Sequence, residues 1–227
     1  MIVATHRCAD HGHAEFVLQV DPSAVPEQHI EQIIQTLEGM VAHGSVFAPG
    51  QTLQVGWMVT QVQRHDKMRL TLFEPDMRSL PVKYVPGVTE TLRQMMLQLF
   101  VIDSFGVPRN DMDIPSIRQS VVVCDKYQDA SGILLMRGKA QDQSDSGWFI
   151  GCLDKDHDHQ NTQNLAKIPL YDAFLNRNAI QGWMAFPSGT FIALQGEQPP
   201  QVVRDGKELI ILPDSFLDRL LQRPETA

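Results

Sequence analysis

The residues best suited to chemistry in this sequence form two polar clusters, and the first lies at the N-terminus. It contains His6, Cys8, Asp10, His11 and His13 within eight residues. Imidazole and thiolate groups are the common ligands of zinc. Structural zinc sites usually take ligand pairs from two separated segments, whereas this cluster is one short segment ahead of a strand. We therefore interpret it as a polar loop without a metal, and the alternative is a metal-dependent hydrolase that uses this cluster.

The second cluster, at residues 154–161, alternates aspartate with lysine and histidine. Its carboxylates resemble the start of a calcium loop, but His159 occupies the sixth position, where glycine permits the sharp turn. Leu165 occupies the twelfth position, where a bidentate glutamate is required. The pattern excludes an EF-hand and predicts an exposed acidic surface that meets a basic protein partner. The candidate contact residues here and just upstream are Asp142, Asp154, Asp156, His157 and Asp158.

The sequence carries no catalytic motif that we can identify. Ser188 is not in a nucleophile elbow, because Phe186 occupies the position that requires glycine. The Gly138-Lys139 pair lacks both the earlier glycine and the following serine or threonine of a phosphate-binding loop. We predict no catalytic residues, no metal and no cofactor, and hence a protein that is not an enzyme.

Composition limits the classes of partner and compartment. The chain has 227 residues with 19 basic and 27 acidic side chains, a net charge of −8. This balance disfavours nucleic acid as a partner, because such binding neutralises phosphates with lysine and arginine. Three cysteines without close spacing describe no disulfide framework. The first residues lack a secretory signal and no long apolar run occurs, so we expect a cytoplasmic protein without a membrane partner.

Hydrophobic periodicity predicts the elements of the first half of the chain. Apolar residues alternate over 16–20, as in a strand. They recur at three- and four-residue intervals over 30–41, which predicts a helix between Pro26 and Gly44. Residues 53–59 and 68–72 are predicted to form the two strands of a hairpin.

A second helical stripe covers 88–102 and ends before Gly106. The segment 107–115 carries two prolines and no periodicity, so we predict a linker and a domain boundary near Ser116. The sequence thus predicts an α+β chain of two small domains, 1–115 and 116–227. Each is expected to be a mostly antiparallel sheet packed with one or two helices. The second domain is predicted to contain strands at 121–123, 133–136, 148–152, 191–194 and 209–212, a hairpin turn at Asp205-Gly206, and helices at 170–176 and near 216–221.

One motif carries information beyond composition. Residues 144–151 contain Asp145-Ser146-Gly147-Trp148, which resembles the Asp-Ser-Gly-Trp motif of the bacterial immunity protein 33 family, a domain found beside polymorphic toxins. Further matches follow in order over about residues 118–212: Asn161, Asn164, Asp172, Ile180 and residues 187–191.

The chain departs from the family pattern in two places. Residues 137–140 read Arg-Gly-Lys-Ala where the family has a segment like Arg-Glu-x-Pro. Residues 151–154 read Gly-Cys-Leu-Asp where the family has an acidic pair after the glycine. We expect Asp145, Ser146, Gly147 and Trp148 to be mainly structural, because aspartate can bond turn amides, glycine can take a positive φ and tryptophan can cover the core.

The resemblance implies an immunity protein that binds and neutralises a cognate antibacterial toxin. The acidic charge suits a toxin with a basic groove, such as a nuclease. Two alternatives to an immunity protein stay open: the metal-dependent hydrolase described above, and an adaptor or chaperone for a secreted effector.

Overall fold

The computed structural model describes residues 1–222 of the chain. It divides the chain into two compact units, Met1–Met96 and Leu97–Ala227, and the division falls inside a helix. Both units combine helices with mostly antiparallel sheets, which confirms the predicted α+β class. The domain boundary near Ser116 stays a prediction. No helix within residues 1–222 is long and apolar enough to cross a lipid bilayer.

The first unit contains a two-stranded antiparallel sheet, β1–β2, and a four-stranded antiparallel sheet in the order β3-β4-β5-β6. The elements are β1 (Ile2–Ala4), β2 (Val17–Gln19), α1 (Glu27–Ala42), β3 (Thr52–Val55), β4 (Met58–Arg64), β5 (Leu70–Pro75), β6 (Tyr84–Pro86) and the first half of α2 (Thr89–Ser104), whose residues from Leu97 onward belong to the second unit.

Helix α1 confirms the prediction from the apolar stripe. It begins directly after Pro26, whose ring fixes φ at a value suited to a helix start. The stripe that includes Ile30, Ile33 and Leu37 is buried. The helix therefore forms because one face of it can leave water.

The predicted hairpin over 53–72 is confirmed at the turn between β4 and β5, but its first predicted strand, 53–59, is wrong. Residues 53–59 do not form one strand, because the chain turns at Gly56 and pairs Val55 with Met58. Gly56 has a φ of +59°, which favours glycine. Trp57 lies in this turn and is fully buried. The apolar alternation of the sequence therefore runs through the turn, which explains why one continuous strand was predicted. Strands β1 and β6, of three residues each, were not predicted.

The second unit is built on one seven-stranded sheet with the order β10-β7-β9-β8-β11-β12-β13. Every adjacent pair is antiparallel except β7 and β9, which are parallel. The elements are β7 (Ser120–Cys124), β8 (Gly132–Arg137), β9 (Asp145–Cys152), β10 (Leu165–Pro169), α3 (Leu170–Asn176), β11 (Thr190–Gln195), β12 (Gln201–Arg204), β13 (Lys207–Leu209) and α4 (Phe216–Leu221).

Most predicted elements of this unit are present. The turn at Asp205-Gly206 has a positive φ at both residues, 49° and 76°, as a tight two-residue hairpin requires. Strand β13 ends at Leu209, so residues 210–212 are not a strand, contrary to the prediction. Strand β10 was missed because lysine and alanine dilute its alternation, and it pairs along the edge of the sheet with β7.

Candidate functional site

The parallel pairing of β7 with β9 determines where the two strands end. Val123 lies opposite Ile150, so both strands run in the same direction and finish at the same edge of the sheet. Their last residues, Cys124 and Cys152, are buried side by side. The backbone N–H of Cys152 donates to Sγ of Cys124 at 3.3 Å. The two cysteines, distant in sequence, are thus neighbours in the fold.

Residues 153–164, here called the acidic loop, connect β9 to β10. The loop is shaped by side chains that bond the amide two residues further on. Oδ1 accepts such a bond at Asp154 (3.0 Å), at Asp158 (2.9 Å) and at Asn161 (3.1 Å). Nδ2 of Asn164 also donates to the carbonyl of Asp158 at 2.9 Å. Local turns of this kind hold the loop, which ends in a short 3-10 helix at Thr162–Asn164.

The aspartates of the acidic loop point to the surface, in agreement with the predicted exposure. Asp154, Asp156 and Asp158 are all exposed. Lys126 donates to the Asp154 carboxylate at 2.9 Å, and this bond holds the pKa of Asp154 below its usual value. A cleft of about 500 Å³ beside the loop is lined partly by Asp125, Asp129 and Asp154. The surface at this edge of the sheet therefore presents carboxylates to solvent.

The structure does not bring Asp142 to the acidic loop. Asp142 lies in the turn before β9, and the acidic loop follows the other end of that strand. The strand has eight residues, which at about 3.3 Å per residue separates the two places by roughly 25 Å. Asp142 is exposed and bonds Ser144, whose hydroxyl and amide lower the pKa of the Asp142 carboxyl. It belongs to a different part of the surface.

The two histidines of the acidic loop point inward. The side chain of His157 is only 4% exposed, so this residue is removed from the candidate contact surface. His159 packs edge-on against Phe149 and places Nε2 at 3.5 Å from Sγ of Cys152. Burial, aided by the neighbouring His157, lowers the pKa of His159. Burial raises the pKa of the Cys124 thiol.

This convergence of cysteine and histidine side chains was not predicted from the sequence. Cys124, Cys152, His157 and His159 each offer one ligand atom, and the four atoms lie within 4.8 Å of one another. The sequence signal for this cluster is the Cys-x4-His-x-His spacing that starts at Cys152. Cys124 is brought next to these residues by the parallel pairing of β7 with β9. We call these four residues the Cys/His cluster.

The N-terminal cluster does not assemble within the part of the chain that the structure describes. No three of its ligand atoms come together as those of the Cys/His cluster do. Nδ1 of His13 donates to the Ala14 carbonyl at 2.7 Å, and Nε2 accepts from the Phe47 N–H at 2.9 Å. Both ring nitrogens of His13 are hydrogen-bonded, so His13 is not free to bind the metal that the hydrolase alternative requires. Cys8 is buried, and burial raises the pKa of its thiol.

The Asp-Ser-Gly-Trp motif forms the turn that enters β9. The Asp145 carboxylate accepts from the N–H of Gly147 at 3.1 Å and from that of Gln141 at 2.9 Å. Oγ of Ser146 accepts from the N–H of Trp148 at 3.2 Å. Gly147 has a φ of +70°. The local geometry is therefore the one expected, while the structural role of the four residues stays a prediction.

Arg137 connects this motif to the segment before β7. Its guanidinium is buried, lies 5.4 Å from the centre of the Trp148 ring, and donates to the carbonyl of Ser146. It also pairs with the carboxylate of Asp113 at 2.6 Å. In the sequence, Arg137 stands out only as the start of a segment that departs from the family pattern. In the structure both terminal nitrogens of its guanidinium are engaged, whereas its buried Nε has no hydrogen-bond partner among residues 1–222.

Comparison with known proteins confirms the resemblance, with bounds that differ from the expected 118–212. Residues 97–205 match the family model described as the Imm33-like domain. The match covers just under half of the chain, lies in the second unit, and includes strands β7 to β12. The family is one of immunity proteins, a class that implies a toxin partner and a non-catalytic role. No curated protein and no solved structure matched the chain.

Proposed function

We propose that this protein is an immunity protein that binds one cognate antibacterial toxin in the cytoplasm of the producing cell and blocks it without catalysis. The observation that carries the proposal is the match of residues 97–205 to the Imm33-like domain. The matched segment forms a continuous sheet with a buried core, which suits a rigid scaffold for a protein contact.

The acidic loop is the contact surface that we propose. Asp154, Asp156 and Asp158 are exposed on it, and Asp125 and Asp129 line the adjacent cleft. These five carboxylates outnumber the three nearby cationic side chains, which are Lys126, Lys155 and Arg177; the last donates to the carbonyls of Gln128 and Ala130. A partner with a basic surface is attracted by such an excess of negative charge, and the net charge of −8 extends the attraction over longer distances.

A nuclease is the toxin class that this surface fits best. A protein that cleaves nucleic acid needs a positive groove to hold the phosphates. Carboxylates presented on an exposed loop can occupy the positions of those phosphates and so exclude the substrate. The asparagine and aspartate turns hold the loop in one shape, which reduces the entropy lost when it binds.

Replacing Asp154, Asp156 and Asp158 together by asparagine tests the contact surface. Asparagine keeps the Oδ1 acceptors that shape the loop, so we expect folding to be nearly unaffected. The association rate with the toxin domain encoded beside this gene should fall by roughly 3- to 10-fold at low salt. The salt dependence of that rate should flatten, because exposed charges act over about 8 to 10 Å at physiological ionic strength.

The matched control changes the same net charge elsewhere on the second unit. Glu197→Gln, Asp205→Asn and Glu208→Gln remove three exposed carboxylates in and around the β12–β13 hairpin. Association rates measured at two salt concentrations should separate the two triple variants. Equal rates and equal salt slopes in both would show that the acidic loop is not part of the interface.

A further inference from the structure

We propose that Cys124, Cys152, His157 and His159 bind one Zn²⁺ ion that fixes the acidic loop to the edge of the sheet. The proposal replaces the expectation of a chain without metal, and it does not depend on the identity of the toxin. The metal would lie in the second unit, where β7 and β9 end, and would use no residue of the N-terminal cluster.

The positions of the four ligand atoms fit a tetrahedral ion. Zinc binds thiolate sulfur at about 2.3 Å and imidazole nitrogen at about 2.0 Å, so neighbouring ligands of a tetrahedron lie roughly 3.3 to 3.8 Å apart. Sγ of Cys152 and Nε2 of His159 are separated by 3.5 Å, within that range. All four atoms lie within 4.8 Å of one another, so small side-chain rotations close the site.

The donor set identifies both the metal and the type of site. Two thiolates and two imidazoles form the Cys2His2 set of structural zinc centres, which leaves no open position for a substrate. The two thiolates neutralise the charge of Zn²⁺, so the metal centre carries no net charge. This matters because both cysteines are buried, and an uncompensated charge is costly to bury. Soft sulfur ligands exclude calcium and magnesium, which prefer oxygen.

A buried nitrogen without a partner is the second observation that points to a ligand. Among residues 1–222, Nε2 of His157 has no hydrogen-bond partner although the side chain is only 4% exposed. Oδ1 of Asp125 lies 3.3 Å from this atom, but not in the direction of a hydrogen bond. Leaving a buried polar atom unsatisfied costs about 1 to 3 kcal/mol. Coordination of zinc by Nε2 of His157 gives this atom a partner and removes that cost.

The surroundings of the cluster support the same assignment. The backbone N–H of Cys152 donates to the sulfur of Cys124, and the backbone N–H of Lys126 also bonds that sulfur. Amide donors of this kind stabilise a metal-bound thiolate. Gly151 leaves room for His159, because a Cβ atom at this position would lie 3.0 Å from Nε2 of that ring. The backbone is thus shaped around the ring and the sulfur.

The test is the metal content of the full chain, purified without a histidine tag and under reducing conditions. We expect about one zinc per chain by elemental analysis, and tetrahedral thiolate-to-cobalt absorption bands when Co²⁺ is added to the metal-free protein. Cys152→Ser and His159→Gln should each weaken zinc binding by roughly 100-fold or more, since each removes one of the four ligands. The control variants Cys8→Ser and His11→Ala should bind zinc as the parent does.

Several outcomes would overturn the proposal. The wild-type chain would contain no zinc and give no cobalt bands, or, in a parallel preparation without reductant, its mass would show a disulfide between Cys124 and Cys152 in place of a metal. Zinc that persists in His159→Gln, or that is lost in His11→Ala, would also contradict it. The cobalt titration uses only the wild-type protein, so a ligand variant that fails to fold leaves the test intact.

Discussion

Replacing Trp148 by alanine is expected to lower the free energy of unfolding by about 3 to 5 kcal/mol, the range for truncating a large buried aromatic side chain. The indole is only 2% exposed, and its Nε1 donates to the carbonyl of Met184 at 3.3 Å. Its removal leaves a cavity, an unpaired carbonyl, and a buried Arg137 guanidinium without the ring that it covers.

Chemical denaturation of parent and variant measures this change. Phe191→Ala is the matched control, because Phe191 is also aromatic and lies on a strand of the same sheet, but is 45% exposed. We expect the control to cost less than about 1 kcal/mol. If Trp148→Ala unfolds at the same denaturant concentration as the parent and yet no longer binds the toxin, Trp148 is a binding residue and its structural role is refuted.

Replacing Gly147 by valine is expected to destabilise the second unit by a similar amount, about 3 to 5 kcal/mol. Its φ of +70° strains any β-branched residue. A Cβ atom there would also lie 2.6 Å from the carbonyl oxygen of Gly138 and 3.0 Å from the nitrogen of Ala140. Both neighbours are backbone atoms, so the turn cannot yield without breaking the entry to β9.

Gly196→Val separates the two causes of this effect. Gly196 has a φ of +53°, and nothing lies within 4 Å of a Cβ atom built on it. It therefore experiences the backbone strain alone, about 1 to 3 kcal/mol. Thermal unfolding of both variants should place Gly147→Val well below Gly196→Val. Equal melting temperatures would mean that the close approach of Gly147 to the 138–140 backbone contributes nothing.

Local sequence patterns correctly predicted the elements whose formation depends on residues close in the sequence. Helix α1 follows from its apolar stripe and Pro26, and the β12–β13 turn follows from Asp205-Gly206. The β3–β4 turn was hidden because Trp57 is buried in the bend, where a polar residue would be expected. Trp57 is buried by contacts with residues distant in the sequence, and the alternation of apolar and polar residues along one segment does not reveal such contacts.

The Cys/His cluster could not be predicted for a different reason. Cys124 and Cys152 are brought together by the parallel register of β7 and β9, and sequence spacing carries no information about that register. The inward orientation of His157 has a similar origin, because alternating charge in a loop does not show which side chains fold back under it. By contrast, the exposure of the three aspartates followed directly from their charge.

Growth of bacteria that express the protein encoded beside this gene tests the central claim most directly. Expressed alone, that toxin should arrest growth; expressed together with this chain, it should leave growth normal, and the two proteins should purify as one complex. Arrest that persists when both proteins are present and soluble would contradict the proposed immunity function. Arrest that persists while export of the toxin requires this chain would instead identify the chain as an adaptor.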